Sequence, residues 1–299
     1  MTYSIVAAVG DAFGVAVASR FLAVGSVVPA ARIGVGAAAT QAAANVTWKG
    51  QGLEHLAAGH RIDEAVRLLV ESDPDHDHRQ LGLVSATDQA TWTGAECMDW
   101  AGGVCGRDGS GGYAIQGNIL VGEQVVQDAE RAWLDAAHLP FEHRLLAALL
   151  AGDRAGGDRR GRQSAAVYAV APGAGYDRSG VLVDLRVDDH PDPVGELHRL
   201  VDLNNLYFGS PTNVLPLEGS LAEEVRSRLR RLGREDDDLD AALTDWAGEA
   251  NLETRLAPGG IDARVLQVLR ETTAVEDTTP WGDVEWTSTG PTEQPPRAG

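Results

Sequence analysis

The sequence predicts an α+β protein in which antiparallel sheets are covered by helix layers, followed by a small helical domain. Three observations predict it. Strand-like and helix-like stretches come in separate runs, in the order strands, two helices, strands, two helices, strands, helix. The links between neighbouring strand-like stretches are of hairpin length, which favours antiparallel pairing over the long crossovers of βαβ units. Beyond residues 211–217 the pattern changes to three consecutive amphipathic helices.

Residues 3–9 and 13–19 are runs rich in Val, Ala and Ile around the turn sequence Gly10-Asp11-Ala12, which reads as a hairpin. Residues 32–41 read as a third strand of small residues, a composition that suits close layer approach. Two helices follow, over about 51–58 and 63–72, the second with Ile62, Val66, Leu69 and Val70 at helical spacing and Asp73-Pro74 as its stop. Strand character returns at 81–84, 90–93 and 112–121. Val125, Val126, Ala129, Ala132 and Trp133 then lie on one helical face, and 141–150 carries Leu145, Leu146, Leu149 and Leu150 before a glycine-rich break. Residues 164–170 and 180–187 read as a strand pair. A helix over 193–206 has Asp192 as its N-cap and Pro193 at its first position.

These elements make a first domain over 1–210. The second, over 215–273, begins with Ser220 and Glu223 placed as a capping box, with Leu221, Val225, Leu229 and Leu232 on one face and Gly233 at the end. Leu239, Leu243 and Trp246 form the face of a second helix, and Ile261, Val265, Leu266 and Leu269 that of a third. Residues 276–299 are rich in Thr, Pro, Gly and acidic residues without periodicity, and read as a disordered tail.

At 299 residues and 43% hydrophobic the chain is long enough for a sizeable core. Its net charge of −19 argues against nucleic acid and anionic membranes as partners. No stretch has the length of a membrane span and the start lacks a signal-peptide pattern, so a cytoplasmic protein is expected. Cys97 and Cys105 make no disulfide framework and no zinc spacing, and read as two ordinary thiols.

Chemistry concentrates at the beginning of the chain. Removal of Met1 leaves Thr2 with a hydroxyl and a free α-amine on one residue at the lip of a buried strand. An α-amine titrates at about 7.7–8.0, so near neutral pH it can take the hydroxyl's proton. Such a nucleophile needs a polar or cationic neighbour and donors for a tetrahedral oxyanion.

The blocks Met1-Thr2-Tyr3-Ser4-Ile5-Val6, Gly14-Val15-Ala16-Val17-Ala18-Ser19-Arg20-Phe21, Gln116-Gly117-Asn118-Ile119-Leu120, 157–164 and 185–193 resemble those of the family called domain of unknown function 1028, over about residues 1–208. That family is regarded as similar to the N-terminal-nucleophile (Ntn) hydrolases. The resemblance implies a four-layer αββα sandwich and Thr2 as nucleophile. It places Arg32 about where proteasome-like relatives carry a lysine beside the nucleophile. An arginine cannot serve as a base, so it either tunes the amine, binds a substrate carboxylate or is a solvated strand end. The turn 40–45 falls where backbone N–H groups line the oxyanion site, with Gln41 and Asn45 as further donors or, for Asn45, a turn cap. Asn118, an amide in an apolar strand, is an oxyanion donor or a structural bracket.

Asp158 stands where an aspartate orients the amine in proteasome-like relatives, while Gly161 replaces the expected serine. Arg159, Arg160 and Arg162 surround it, and with Arg20 they suit a carboxylate, which arginine binds bidentately. Asn45 joins Arg20, Arg159 and Arg162 as a substrate contact. The segments Asp188-Asp189-His190-Pro191-Asp192 and Asp75-His76-Asp77-His78 read as polar turns, because adjacent strand residues point to opposite faces. No metal and no cofactor is expected. Residues 218–272, through Asn251-Leu252-Glu253-Thr254-Arg255 and Ile261-Asp262, are similar to a peptidoglycan-binding-like domain.

The leading expectation is therefore an amidohydrolase acting on a small, carboxylate-bearing amide through an acyl-Thr2 ester, possible as a homo-oligomer. Its rivals are a non-catalytic relative that binds a metabolite or partner and a wall-associated binding protein.

Overall fold

The computed structural model describes residues 2–274. The expected tail at 276–299 and the fate of Met1 lie outside the described residues. The chain divides into two compact units, one ending at Phe208 and one starting at Gly209.

The first unit runs β1 (Thr2–Val9), β2 (Ala12–Ser19), β3 (Pro29–Arg32), β4 (Gly36–Ala42), α1 (Thr47–Ala57), α2 (Ile62–Ser72), β5 (Arg79–Ser85), β6 (Gln89–Thr93), β7 (Gly102–Arg107), β8 (Gly111–Asn118), α3 (Gln124–Asp135), α4 (Phe141–Arg154), β9 (Ser164–Val170), β10 (Val181–Val187) and α5 (Pro193–Phe208). It is a mixed α+β unit. Its strands form a six-stranded sheet in the order β10-β9-β2-β1-β8-β7 and a four-stranded sheet in the order β3-β4-β5-β6, with every pair antiparallel.

Period-two alternation sorts the residues of the larger sheet. Tyr3, Ile5 and Ala7 of β1 pack with Trp133 of α3, Leu145 and Leu149 of α4, and Val194 and Leu197 of α5. Val6 and Ala8 turn the other way and share a cluster with Val15, Val17, Ala37, Ala39 and Val84, so the two sheets face each other there. The far side of the smaller sheet, with Ala38, Leu81 and Leu83, is covered by Trp48 and Leu53 of α1 and Ile62 and Leu69 of α2.

Three sequence expectations are corrected. The strand expected over 32–41 is two strands, because Gly34 at φ +73° turns the chain between β3 and β4. Consequently Arg32 ends a strand instead of opening one. β7 was not expected at all: half of Gly102-Gly103-Val104-Cys105-Gly106-Arg107 is glycine, a loop-like composition. Close packing demands those glycines, since a Cβ on Gly103 would sit 2.7 Å from the Ile115 carbonyl oxygen and one on Gly106 2.4 Å from the Tyr113 hydroxyl. The third correction is Ser220, which lies inside its helix and not at the cap.

The second unit contains β11 (Val214–Pro216), α6 (Gly219–Arg231), α7 (Leu239–Glu249), β12 (Leu256–Ala257), β13 (Gly260–Asp262) and α8 (Ala263–Ala274). Its three helices carry the three apolar faces read from the sequence, with Val225, Leu229, Leu243, Trp246, Val265 and Leu269 buried, except that Ile261, expected on the third helix, lies in β13 just before it. Asp238 caps α7 by accepting the Asp240 and Ala241 N–H groups. The sheet β11-β13-β12 has strands of two or three residues, too short to leave a periodic signal.

Register places one set of strand ends together. Thr2 pairs with Asn118, Tyr3 with Ala18, Ser19 with Ser164 and Gln41 with Gln80. The first residue of β1 thus sits where β2, β8, β9, β4 and β5 also begin or end.

Candidate functional site

Thr2 is 6% exposed and pairs with Asn118 of β8, while the ladder to β2 begins one residue later, at Tyr3 and Ala18. Its side chain points into the space between the sheets, as do Ser4 and Ser19. The Thr2 and Ser19 hydroxyl oxygens are 3.1 Å apart. The Thr2 carbonyl oxygen accepts from Gln41 Nε2 at 3.2 Å and Asn118 Nδ2 at 3.5 Å. Both amides also donate to Gln80 Oε1, at 2.7 and 3.0 Å. Gln80 in turn donates through Nε2 to Thr93 Oγ1, Gly117 O and Gly102 O. Ser4 Oγ donates to Gln41 Oε1 at 2.7 Å and accepts from Gln116 Nε2 at 2.6 Å. A Cβ at position 82 would lie 2.3 Å from Gln116 Oε1, so Gly82 makes the room that this amide occupies.

This network is buried: Gln41, Gln80, Gln116 and Asn118 are each at most 1% exposed. Buried carboxamides are costly unless paired, and when paired they fix positions by direction as well as distance. In this geometry Gln41 and Asn118 serve as brackets on the Thr2 carbonyl.

Asp158 is also buried, in the turn before β9. Its carboxylate accepts the Arg20 N–H at 2.7 Å and the Arg160 N–H at 2.8 Å, and pairs with the Arg160 guanidinium at 3.3 Å. The Arg159 N–H reaches the Ile119 carbonyl. Asp158 therefore ties the end of β2, one residue past Ser19, to the turn beyond β8. Among the described residues none of its hydrogen bonds reaches Thr2.

A cleft of about 520 Å³ opens beside this turn, lined by Tyr3, Ser19, Arg20, Asp158, Arg159 and Arg162 among others. Arg162 is neutralised by Asp153, which accepts from Nε and Nη2 at 2.8 Å each. This pairing raises the Arg162 pKa further. Arg20 donates through Nη1 to the Arg162 carbonyl. The Arg159 guanidinium carries no hydrogen bond or ion pair among the described residues. With one carboxylate taken by each of Arg160 and Arg162, the cleft keeps the positive charge of Arg20 and Arg159. Burial, reinforced by Asp153, pushes the Tyr3 phenol well up, so it stays a neutral donor to Leu149 O. Tyr3 and Ala18 place the cleft on the helix side of the larger sheet, whereas the Thr2 hydroxyl faces the other sheet; Ser19 borders both.

Two expected residues lie elsewhere. Arg32 is exposed, opposite Gly36 at the other end of β4 from Gln41. Five residues of strand separate the two levels, roughly 16 Å at about 3.3 Å each. Asn45 is engaged in its own turn, donating to Asp73 Oδ2 at 2.8 Å and accepting the Thr47 N–H at the start of α1. Burial pushes the Asp73 carboxyl up, but hydrogen bonds from Asn45, Arg79 and the Asp75 N–H outweigh it and hold the pKa at about 2. His190 accepts the Asp192 N–H and Asp192 accepts the Gly195 N–H in the first turn of α5. Cys97 is half-buried, burial pushes its thiol up, and it donates to the Arg79 carbonyl.

Ser4, Ser19, Gln80 and Gln116 were missed by sequence reasoning. Their signal is the one that picked out Asn118: a polar residue at an inward position of an apolar strand.

No curated protein matches the chain. The family described as "Putative peptidoglycan binding domain" matches residues 207–269. A crystal structure of protein SPO2555 from Silicibacter pomeroyi, itself assigned to DUF1028, is similar with 31% identity and a TM-score of 0.60, over 75% of this chain and 92% of that one. The model of DUF1028, a family of unknown function, matches residues 2–197, and the chain belongs to that family.

Proposed function

We propose that the first unit is an amidohydrolase of the N-terminal-nucleophile type, its two sheets and flanking helices being the αββα sandwich of that class. The observation that carries the reading is the bracketed Thr2. The first residues of a chain are poorly ordered unless tied down; here, beyond strand pairing, the Thr2 carbonyl is held by two buried amides and its hydroxyl lies against Ser19. Such preorganisation serves a group whose position matters.

With Met1 removed, the Thr2 amine takes the proton from Oγ1 as Oγ1 attacks the amide carbonyl carbon. The tetrahedral intermediate collapses by breaking the C–N bond, and the amine returns the proton to the leaving nitrogen. Water then attacks the acyl-Thr2 ester, with the amine again as base, and releases the acid. Arg159 and Arg20 would hold a substrate carboxylate in the cleft, and its amide would have to reach Thr2 past Ser19, which borders both.

Intact mass of the purified protein tests the first requirement, and a β-lactone probe the second. The expected result is loss of Met1 and one covalent adduct that maps to Thr2 and vanishes in Thr2→Ala. Complete retention of Met1 sinks the proposal.

The position of the cleft favours a second reading, a protein that binds a carboxylate metabolite without turning it over. Small carboxylates should then raise the melting temperature equally in the wild type and in Thr2→Ala, with no adduct on Thr2.

A further inference from the structure

The six-stranded sheet ends differently on its two sides. At β7 the smaller sheet makes contact through Gln80, whose Nε2 donates to the Gly102 carbonyl. At the opposite side β10 pairs, among the described residues, with β9 alone, and no described strand covers its other edge. Exposed edges invite pairing with another chain unless something prevents it.

After the register shift between Val181 and Val183, β10 runs regularly from Val183 to Val187 with the sequence Val-Asp-Leu-Arg-Val. Val183 and Val187 are buried in the cluster with α5, so Asp184 and Arg186 share the other face. Both are exposed, and among the described residues neither has an ion pair or a hydrogen bond to its side chain. Gly25 leaves room for the Arg186 stem: a Cβ there would lie 2.7 Å from its Cδ.

These five residues are complementary to themselves when reversed. In an antiparallel pair centred on Leu185, each Asp184 stands opposite an Arg186, and each Val183 opposite a Val187. Centring the pair on Asp184 or on Arg186 sets like charges face to face, which directly opposed strand residues do not tolerate well. The charge pattern thus disfavours the neighbouring registers while accepting its own copy. A two-fold axis is the symmetry such a self-complementary edge requires.

We infer that β10 is a dimerisation edge, at which a second copy of this chain adds its own β10 antiparallel about a two-fold axis through Leu185, joining the two six-stranded sheets.

Sedimentation velocity of the full chain at micromolar concentration tests it. The wild type should be a dimer. Asp184→Arg and Arg186→Asp should each weaken dimerisation at least tenfold, because each puts like charges across the axis. An equimolar mixture of the two variants should restore a dimer, and so should the double swap Asp184→Arg/Arg186→Asp. That recovery also shows that the single variants are folded. A monomeric wild type, a dimer indifferent to both reversals, or a mixture that stays monomeric would each overturn the inference.

Discussion

Between the two sheets, the end near the β1–β2 hairpin is filled by Val6, Ala8, Phe13, Val15, Val84 and Val170. The end near Thr2 is filled instead by Ser4, Ser19, Gln41, Gln80, Gln116 and Asn118, although the backbone ladders continue unchanged through both. Aliphatic packing stabilises in proportion to buried area and tolerates small shifts. Carboxamides contribute little net stability, and each unpaired one costs free energy, but the bonds they form fix atoms by angle and distance. One end therefore holds the sheets together, and the other holds particular atoms, among them the Thr2 carbonyl, in place.

The largest effect should come from the aliphatic end. Phe13→Ala is expected to lower stability by about 3–5 kcal/mol, as for other buried aromatic truncations. Urea unfolding measures it, and the fraction that stays folded should acylate Thr2 with the β-lactone at the wild-type rate. A fall in that rate without unfolding would erase the division of labour between the ends.

Gln80→Leu comes next. It leaves the Gln41 and Asn118 donors and the Gly102 and Gly117 carbonyls without their shared partner, at about 1–3 kcal/mol for each group left unsatisfied, less whatever relaxation recovers. Its acylation rate should fall more than its stability explains, since the bracket on Thr2 loosens. Gln116→Leu sharpens the same point. Among the described residues Gln116 Oε1 has no partner and its Nε2 serves Ser4 alone, so leucine should cost below about 1.5 kcal/mol and leave acylation unchanged. Equal losses in the two variants would mean that the amides act as filler.

How much of this was legible in the sequence follows from where the information lies. The β1–β2 hairpin was legible because Gly10-Asp11 interrupts two apolar runs, and α2, α3 and α4 because their apolar residues recur at helical spacing. β7 was hidden by the glycines that let it pack, and the β3–β4 turn by a run of small residues with no polar break. At the site, Thr2, Gln41 and Asn118 stood out as polar residues in apolar strands. Their partners did not, because Ser19 and Gln80 meet them only through strand register across 17 and 38–39 residues of chain. Arg32 was assigned from its position relative to a lysine in other proteins, and the turn at Gly34 carries it to the wrong end of the sheet.

The smallest expected effect concerns acid, and it compares the two ends once more. Each has one carboxylate held down at about 2. Asp73, beside the Thr2 end, gathers Asn45, Arg79 and the Asp75 N–H; Asp108, in the β7–β8 turn, gathers Ser110 and the buried Arg144. Burial opposes ionisation in both, and the hydrogen bonds and the guanidinium overcome it. A carboxyl whose folded pKa lies below its unfolded value of 3.8 stabilises the fold fully above that value and loses the contribution as pH falls towards about 2. Stability should therefore be flat with respect to these two groups from neutral pH down to about 5 and decline between about 4 and 2. Asp73→Asn and Asp108→Asn should each remove part of that decline. Amide exchange at pH 3 separates them: in Asp73→Asn the protection already lost should lie at the ends of β4 and β5 beside Gln41 and Gln80, and in Asp108→Asn at the β7–β8 turn. A decline unchanged in both variants would assign the acid sensitivity to other carboxylates and leave the rims of the two ends equivalent.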